Sequence, residues 1–302
     1  MTYVAFKHLL KSELRKTFGE TYKIRNYSLN SNNGTECDVF RLSNENSPVE
    51  PVIYIEPLYE NFCEGYSMEN IILDMLEDMS KVSIDYIGRL AMNLDTFDNI
   101  KDKIVYHLVS QGENKDLLKN IPWIPFHDMA ITFYILLERR EERSMQCVID
   151  NNRMKHWNIT PEELFEYAHK NTQKLYPQIY LNLSAFILGT NFEDVIDKDA
   201  LEEMGIPSLY VITNEFSRYG ATCILYEGML DHIANCIQDD LIVFPSSVHG
   251  AIISPYSCSL DRNTVVHILT SGNAEFVTKE TFLSNNVYLF KRNTKKLEIW
   301  RD

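Results

Sequence analysis

Apolar side chains near the start of the chain recur at steps of three and four. Tyr3, Phe6, Leu10, Leu14 and Phe18 fall on one helical face, and Gly19 follows as a stop. The pattern then changes to strand-like runs at 22–29 and 37–42, which flank Asn30-Ser31-Asn32-Asn33-Gly34. An Asn-Gly pair tolerates positive φ, so the two runs predict a hairpin. Residues 51–57 offer a third strand. Ser67 is placed to cap a long helix that carries Met68, Ile71, Ile72, Met75, Met79, Val82 and Tyr86 on one face. Another helix is expected after Asp95, with Phe97, Ile100, Ile104 and Leu108 inward.

The segment Ile121-Pro122-Trp123-Ile124-Pro125 holds two prolines, which interrupt helix and ladder alike. It divides the expected layout into an N-terminal part, 1–120, and a C-terminal part, 121–302. Beyond it, 129–137 and 144–149 read as paired strands across the charged turn Arg139-Arg140-Glu141-Glu142-Arg143. Thr160-Pro161-Glu162-Glu163 predicts a capped helix running to about Thr172: Thr caps, Pro takes the first helical position, and Glu returns a bond to the cap. Trp157, just before that cap, is expected to pack as core. Residues 177–205 are poorly punctuated and read as a helical linker. Strands are expected at 209–213 and 221–226, then a helix at 229–237, a strand at 241–244 and a β-branched run at 251–254. A helix at 264–271 and strands at 287–291 and 297–300 follow. Short strands with segregated helices predict an α+β fold of mixed, mainly antiparallel sheets in two lobes.

Composition narrows the class. At 302 residues with 45% hydrophobic content, the chain can bury a substantial core, and disorder is not the expectation. No run of about 18 uncharged apolar residues appears, so no membrane span is expected. The N-terminus lacks the basic start, apolar block and cleavage site of a secretory signal, which predicts a cytoplasmic protein. Its six cysteines show no C-x-x-C spacing and read as buried free thiols. A formal net charge of −14 argues against general nucleic-acid binding, because phosphate backbones repel such a surface. Glycine-rich phosphate loops and H-E-x-x-H boxes are missing, so neither a cofactor nor a metal is expected.

Chemistry-bearing residues gather in Phe244-Pro245-Ser246-Ser247-Val248-His249-Gly250. Extended geometry would set Ser247 and His249 on one face and Ser246 on the other. Given a carboxylate from elsewhere, such a hydroxyl and imidazole form a nucleophile and base. The glycines of a G-x-S-x-G elbow are missing, however, and the blander reading makes the serines backbone partners at a strand end. His127-Asp128 resembles a metal-ligand dipeptide but has no supporting histidine cluster, so Asp128 reads as a hydrogen-bonding residue. Glu69, Asp74, Glu77, Asp78 and Asp85 read as the solvated face of the long helix.

Several short marks resemble the bacterial family named domain of unknown function 5688, found mainly in gut Firmicutes. They include Glu56-Pro57-Leu58-Tyr59-Glu60, Pro125-Phe126-His127-Asp128-Met129-Ala130, Trp157 through Leu164, Tyr210-Val211-Ile212-Thr213-Asn214, Leu225-Tyr226-Glu227-Gly228 and Pro245-Ser246-Ser247-Val248-His249. The family pattern resembles P-S-S-x-H-E, and this chain carries Gly250 where the glutamate would stand. Association of the family with mobile and accessory genes implies a cytoplasmic accessory role. The resulting expectation is a non-catalytic interaction or regulatory protein that opposes a host defence by binding a protein component of it. Pro245, Ser247, His249, Asn214 and Tyr226 form the expected binding surface. The alternative is a hydrolase using Ser246, Ser247 and His249.

Overall fold

A computed structural model describes residues 1–45, 52–81, 94–139, 144–182, 209–257 and 261–301. By contacts the chain separates into two compact units, Met1–Asn99 and Ile100–Asp302.

In the first unit, helix α1 (Tyr3–Phe18) starts at Thr2, whose hydroxyl accepts the Ala5 N–H at 3.3 Å. Phe6, Leu10, Leu14 and Phe18 are buried on the face that their spacing predicts. Strands β1 (Lys23–Asn30) and β2 (Glu36–Ser43) form the expected antiparallel hairpin. Asn33 (φ 58°) and Gly34 (φ 62°) both turn in the left-handed region. Strand β3 (Val52–Tyr54) adds to β2 but is shorter than expected, because helix α2 (Ile55–Cys63) begins at once. Pro57 therefore lies in the first turn of a helix, where a missing N–H leaves no helical bond unmade. Helix α3 (Met68–Lys81) begins after Ser67, whose Oγ accepts the Asn70 N–H at 3.1 Å. Phe40, Leu42, Ile55 and Ile71 close the core against α1. Glu69, Asp74 and Glu77 are exposed, as a solvated face requires. Val82, Asp85 and Tyr86 lie outside the described residues, as does the side chain of Asp78.

The helix expected after Asp95 ends at Ile100 (α4, Phe97–Ile100), and Ile104 and Leu108 belong instead to strand β4 (Ile104–Ser110). Every residue of β4 is buried. A strand covered on both faces has no alternation of buried and exposed positions, and such a run fits helical periodicity equally well. Strand β6 (Met129–Arg139) pairs with β4 along one side. Along the other it pairs first with β5 (Trp123–Phe126) and then with β7 (Ser144–Val148). The two-proline segment expected as a boundary thus runs into a sheet, with Pro125 on a strand whose described pairing is to β6 alone. Residues 140–143 of the charged turn lie outside the described residues.

A second sheet runs in the order β13-β12-β10-β11-β9-β8, all antiparallel. Its strands are β8 (Gln178–Asn182), β9 (Tyr210–Asn214), β10 (Leu241–Ser247), β11 (Gly250–Pro255), β12 (Tyr288–Lys291) and β13 (Lys296–Ile299). The remaining helices among the described residues are α5 (Lys115–Leu118), α6 (Asn151–Trp157), α7 (Pro161–Leu175), α8 (Met229–Ile237) and α9 (Arg262–Phe276). The capping box of α7 is complete: Thr160 Oγ accepts the Glu163 N–H at 3.2 Å, and Glu163 Oε2 accepts the Thr160 N–H at 2.8 Å. Trp157 ends α6 half-buried and is not core. The strand expected at 221–226 is instead a 3-10 segment, Gly220–Leu225, because left-handed Tyr219 (φ 54°) turns the backbone there. Most of the 177–205 linker lies outside the described residues. The architecture is α+β.

Candidate functional site

The Ser-Ser-Val-His motif is not extended throughout. Strand β10 ends at Ser247, Val248 and His249 form the corner, and Ser247 pairs with Gly250 as β11 begins. The pairing register shifts between Phe244 and Ser247, which marks a β-bulge. Pro245 falls in that irregular stretch, where a residue without an N–H breaks no regular ladder bond. The expected shared face of Ser247 and His249 is therefore replaced by a turn.

Neighbouring segments hold this turn from several sides. Val248 donates its N–H to Thr281 O at 2.8 Å and accepts the Ala221 N–H on its own carbonyl at 3.2 Å. Ser246 O accepts the Leu283 N–H at 3.0 Å. His249 O accepts the Thr213 hydroxyl at 2.7 Å. Ser247 Oγ accepts the backbone N–H of His249 at 3.2 Å, and His249 Nδ1 accepts the Tyr219 N–H at 3.3 Å. Because Nδ1 accepts, the neutral imidazole carries its proton on Nε2. Burial and then the Arg218 charge push the His249 pKa down, while Glu280 opposes them.

Tyr219 links the turn to a buried polar cluster. Its ring stacks on His107 with centroids 3.9 Å apart, and Tyr134 meets the His107 ring at 4.5 Å. His107 Nε2 lies 2.6 Å from Gln146 Oε1, and Gln146 Nε2 donates to Tyr176 OH at 2.7 Å. An amide oxygen only accepts, so His107 is protonated on Nε2. His107 Nδ1 is then a buried acceptor with no hydrogen-bond partner among the described residues. Burial, the largest cause, pulls the His107 pKa down to about 4. Burial likewise raises the Tyr219 phenol to about 12. Neither ring is charged near neutrality.

The expected site residues separate in this arrangement. Pro245, Ser246, Ser247 and His249 share the turn. Asn214 is fully buried and shapes the neighbouring loop: its Oδ1 accepts the Phe216 N–H at 3.0 Å, and its Nδ2 donates to Arg218 O at 2.7 Å. Tyr226 is also buried, with its hydroxyl donated to Tyr176 O at 2.8 Å. Both therefore act on the scaffold behind the turn. Sequence reasoning passed over His107, Gln146, Tyr176 and Tyr219. The one available signal was a histidine inside the apolar run Ile104-Val105-Tyr106-His107-Leu108-Val109. Gly250, where the resemblance implies a glutamate, packs close to β9. A Cβ there would lie 3.0 Å from Ile212 O, so a side chain would require β9 to yield.

His127-Asp128 forms another two-residue corner, between β5 and β6, with His127 left-handed at φ 56°. Asp128 accepts the Ser284 hydroxyl at 2.7 Å on one oxygen and the Tyr288 hydroxyl on the other. The carboxylate thus ties β6 to the segment leading into β12, the hydrogen-bonding role expected of it. Among the described residues no group of three or more His, Cys, Asp or Glu side chains converges as a metal shell. No helix among them is long and apolar enough to cross a membrane. The five described cysteines are free thiols, yet Cys63 and Cys236 are exposed and Cys223 alone of the five is buried, which corrects the expectation of buried thiols. Cys258 lies outside the described residues.

A family model described as "Family of unknown function (DUF5688)" matches residues 3–292. No curated protein matches, and no solved structure matches.

Proposed function

The chain belongs to DUF5688, a family whose description carries no activity, and we propose from the site itself that it is a non-catalytic interaction protein. Its contact surface is formed by half-buried Ser246, Ser247 and His249 of the turn with exposed Arg218 and half-buried Tyr219 beside them, Pro245 and Val248 being buried beneath, and its partner is another protein. One observation carries this reading. The Ser247 hydroxyl faces the His249 backbone N–H, and His249 Nδ1 faces the Tyr219 N–H, so the two groups of a would-be nucleophile and base are engaged with backbone and not with each other. A turn fixed in this way presents a preformed shape and loses little conformational entropy on binding. The net charge of −14 favours a partner with a basic face.

The test compares wild type with Arg218→Glu and Ser247→Ala, in melting temperature and in capture of partners from the native cell. Arg218 is exposed, so its reversal should leave the melting temperature unchanged and reduce capture. Equal capture by wild type and Arg218→Glu would overturn the proposal. So would an ester, peptide or phosphoester hydrolysis that falls by about 10²–10⁴-fold in Ser247→Ala, since that is the loss expected of a catalytic group.

A further inference from the structure

The exposed face of α8 brings together a donor pair that the sequence reading did not single out. His232 and Cys236 stand four residues apart on this helix, both exposed, and His232 Nε2 lies 3.7 Å from Cys236 Sγ. Residues at i and i+4 share a helical face, so the helix itself sets this separation. With bonds of about 2.3 Å to sulfur and 2.0 Å to nitrogen, two ligands of a tetrahedral zinc ion stand about 3.5 Å apart. The observed gap therefore corresponds to one edge of such a tetrahedron.

We propose that His232 and Cys236 chelate a divalent ion of borderline softness, Zn²⁺ or Co²⁺, and that two copies of the chain share it. Thiolate and imidazole together select this class over Mg²⁺ or Ca²⁺, which take oxygen. The neighbouring carboxylates have other partners. Asp231 is paired with Lys295 at 2.7 Å, Asp239 accepts the Asp240 and Ser257 N–H groups, and Asp240 accepts the Arg292 N–H. Among the described residues one chain therefore supplies two ligands and leaves two positions open. A two-fold axis through the metal sets the same pair opposite itself and completes a Cys2His2 shell. Binding takes neutral His232 through Nε2 and releases the Cys236 thiol proton to solvent, so each shared ion liberates two protons.

The test uses the full chain in reducing buffer, titrated with Co²⁺ alone. The expected result is a thiolate-to-cobalt charge-transfer band with tetrahedral d–d bands, saturating at one ion per two chains. Sedimentation should show a dimer that dissociates on chelation. The band should vanish in Cys236→Ala and in His232→Ala, whose exposed positions leave the fold intact. A measurement on wild type needs no variant: Zn²⁺ should slow alkylation of Cys236 by about tenfold or more while exposed Cys63 reacts as before. Absence of the charge-transfer band, its survival in Cys236→Ala, or equal protection of Cys63 would overturn the site. Saturation at one ion per monomeric chain, or a dimer formed without metal, would overturn the sharing between copies.

Discussion

Burial is the dominant influence on His107. Its ring packs against Tyr219 and Tyr134, one nitrogen is bonded to Gln146, and the other has no partner among the described residues. A folded-state pKa of about 4, below the ordinary value of 6.5, means that the unfolded chain takes up the proton first as pH falls. The stabilisation is fully present above about pH 6.5 and is lost on descending to about pH 4, where the folded state is protonated too. The loss across that window amounts to about 3 kcal/mol for this one group. His249 and His169, also shifted down by burial, act in the same direction. Urea unfolding between pH 7.5 and 4.5 should show the decline. His107→Gln should flatten its slope by about one proton, whatever it does to absolute stability. An unchanged slope would show that the imidazole is not held neutral. Gly220 is constrained sterically: a Cβ would lie 2.6 Å from His249 O and 2.7 Å from Thr213 Cα, both backbone atoms. Gly220→Ala should therefore destabilise by about 1–3 kcal/mol, as overpacking typically does. The drop would be read in the thermal midpoint, and an unchanged midpoint would contradict the packing described.

Among the elements, α7 has the most local determinants, since its capping box joins Thr160 and Glu163 in both directions. Thr160→Ala should cost about 1 kcal/mol, measured as a lower denaturant midpoint at unchanged slope. Elements of this kind were legible in the sequence, because their signals are local. The spacing from Phe6 to Phe18, the Asn33-Gly34 corner and the 229–237 helix all emerge where periodicity and turn chemistry place them. Strand β4 was misread because its burial on both faces depends on distant partners, among them Thr172 of α7, which receives the Tyr106 N–H at 3.1 Å. The 220–225 segment was misread because its course follows from the left-handed Tyr219, which no residue type signals. The site divides along the same line. Ser247 and His249 could be found as neighbours in the chain, whereas the link from His249 through Tyr219 to His107 spans sequence distances that carry no pattern.

At the level of the whole molecule, each compact unit has buried clusters of its own, with Phe6, Leu10, Phe40 and Ile55 in the first. Leu10→Ala should cost about 2–5 kcal/mol by leaving a cavity, and peptide-resolved hydrogen exchange should assign the lost protection to residues 1–99. Protection retained in α1 and β2 would contradict that core. The β1–β2 corner carries one more consequence for the intact protein. An asparagine followed by glycine is the sequence most prone to spontaneous deamidation, in which the glycine nitrogen closes onto the side-chain amide and releases ammonia. Asn33 and Gly34 have that order, yet Asn33 is only 2% exposed and held in a left-handed turn. Folding thus restrains the swing that ring closure needs. The hairpin acts as a chemical clock that runs slowly while the unit is folded and quickly once it opens, so isoaspartate at position 33 would record how long a molecule has spent unfolded.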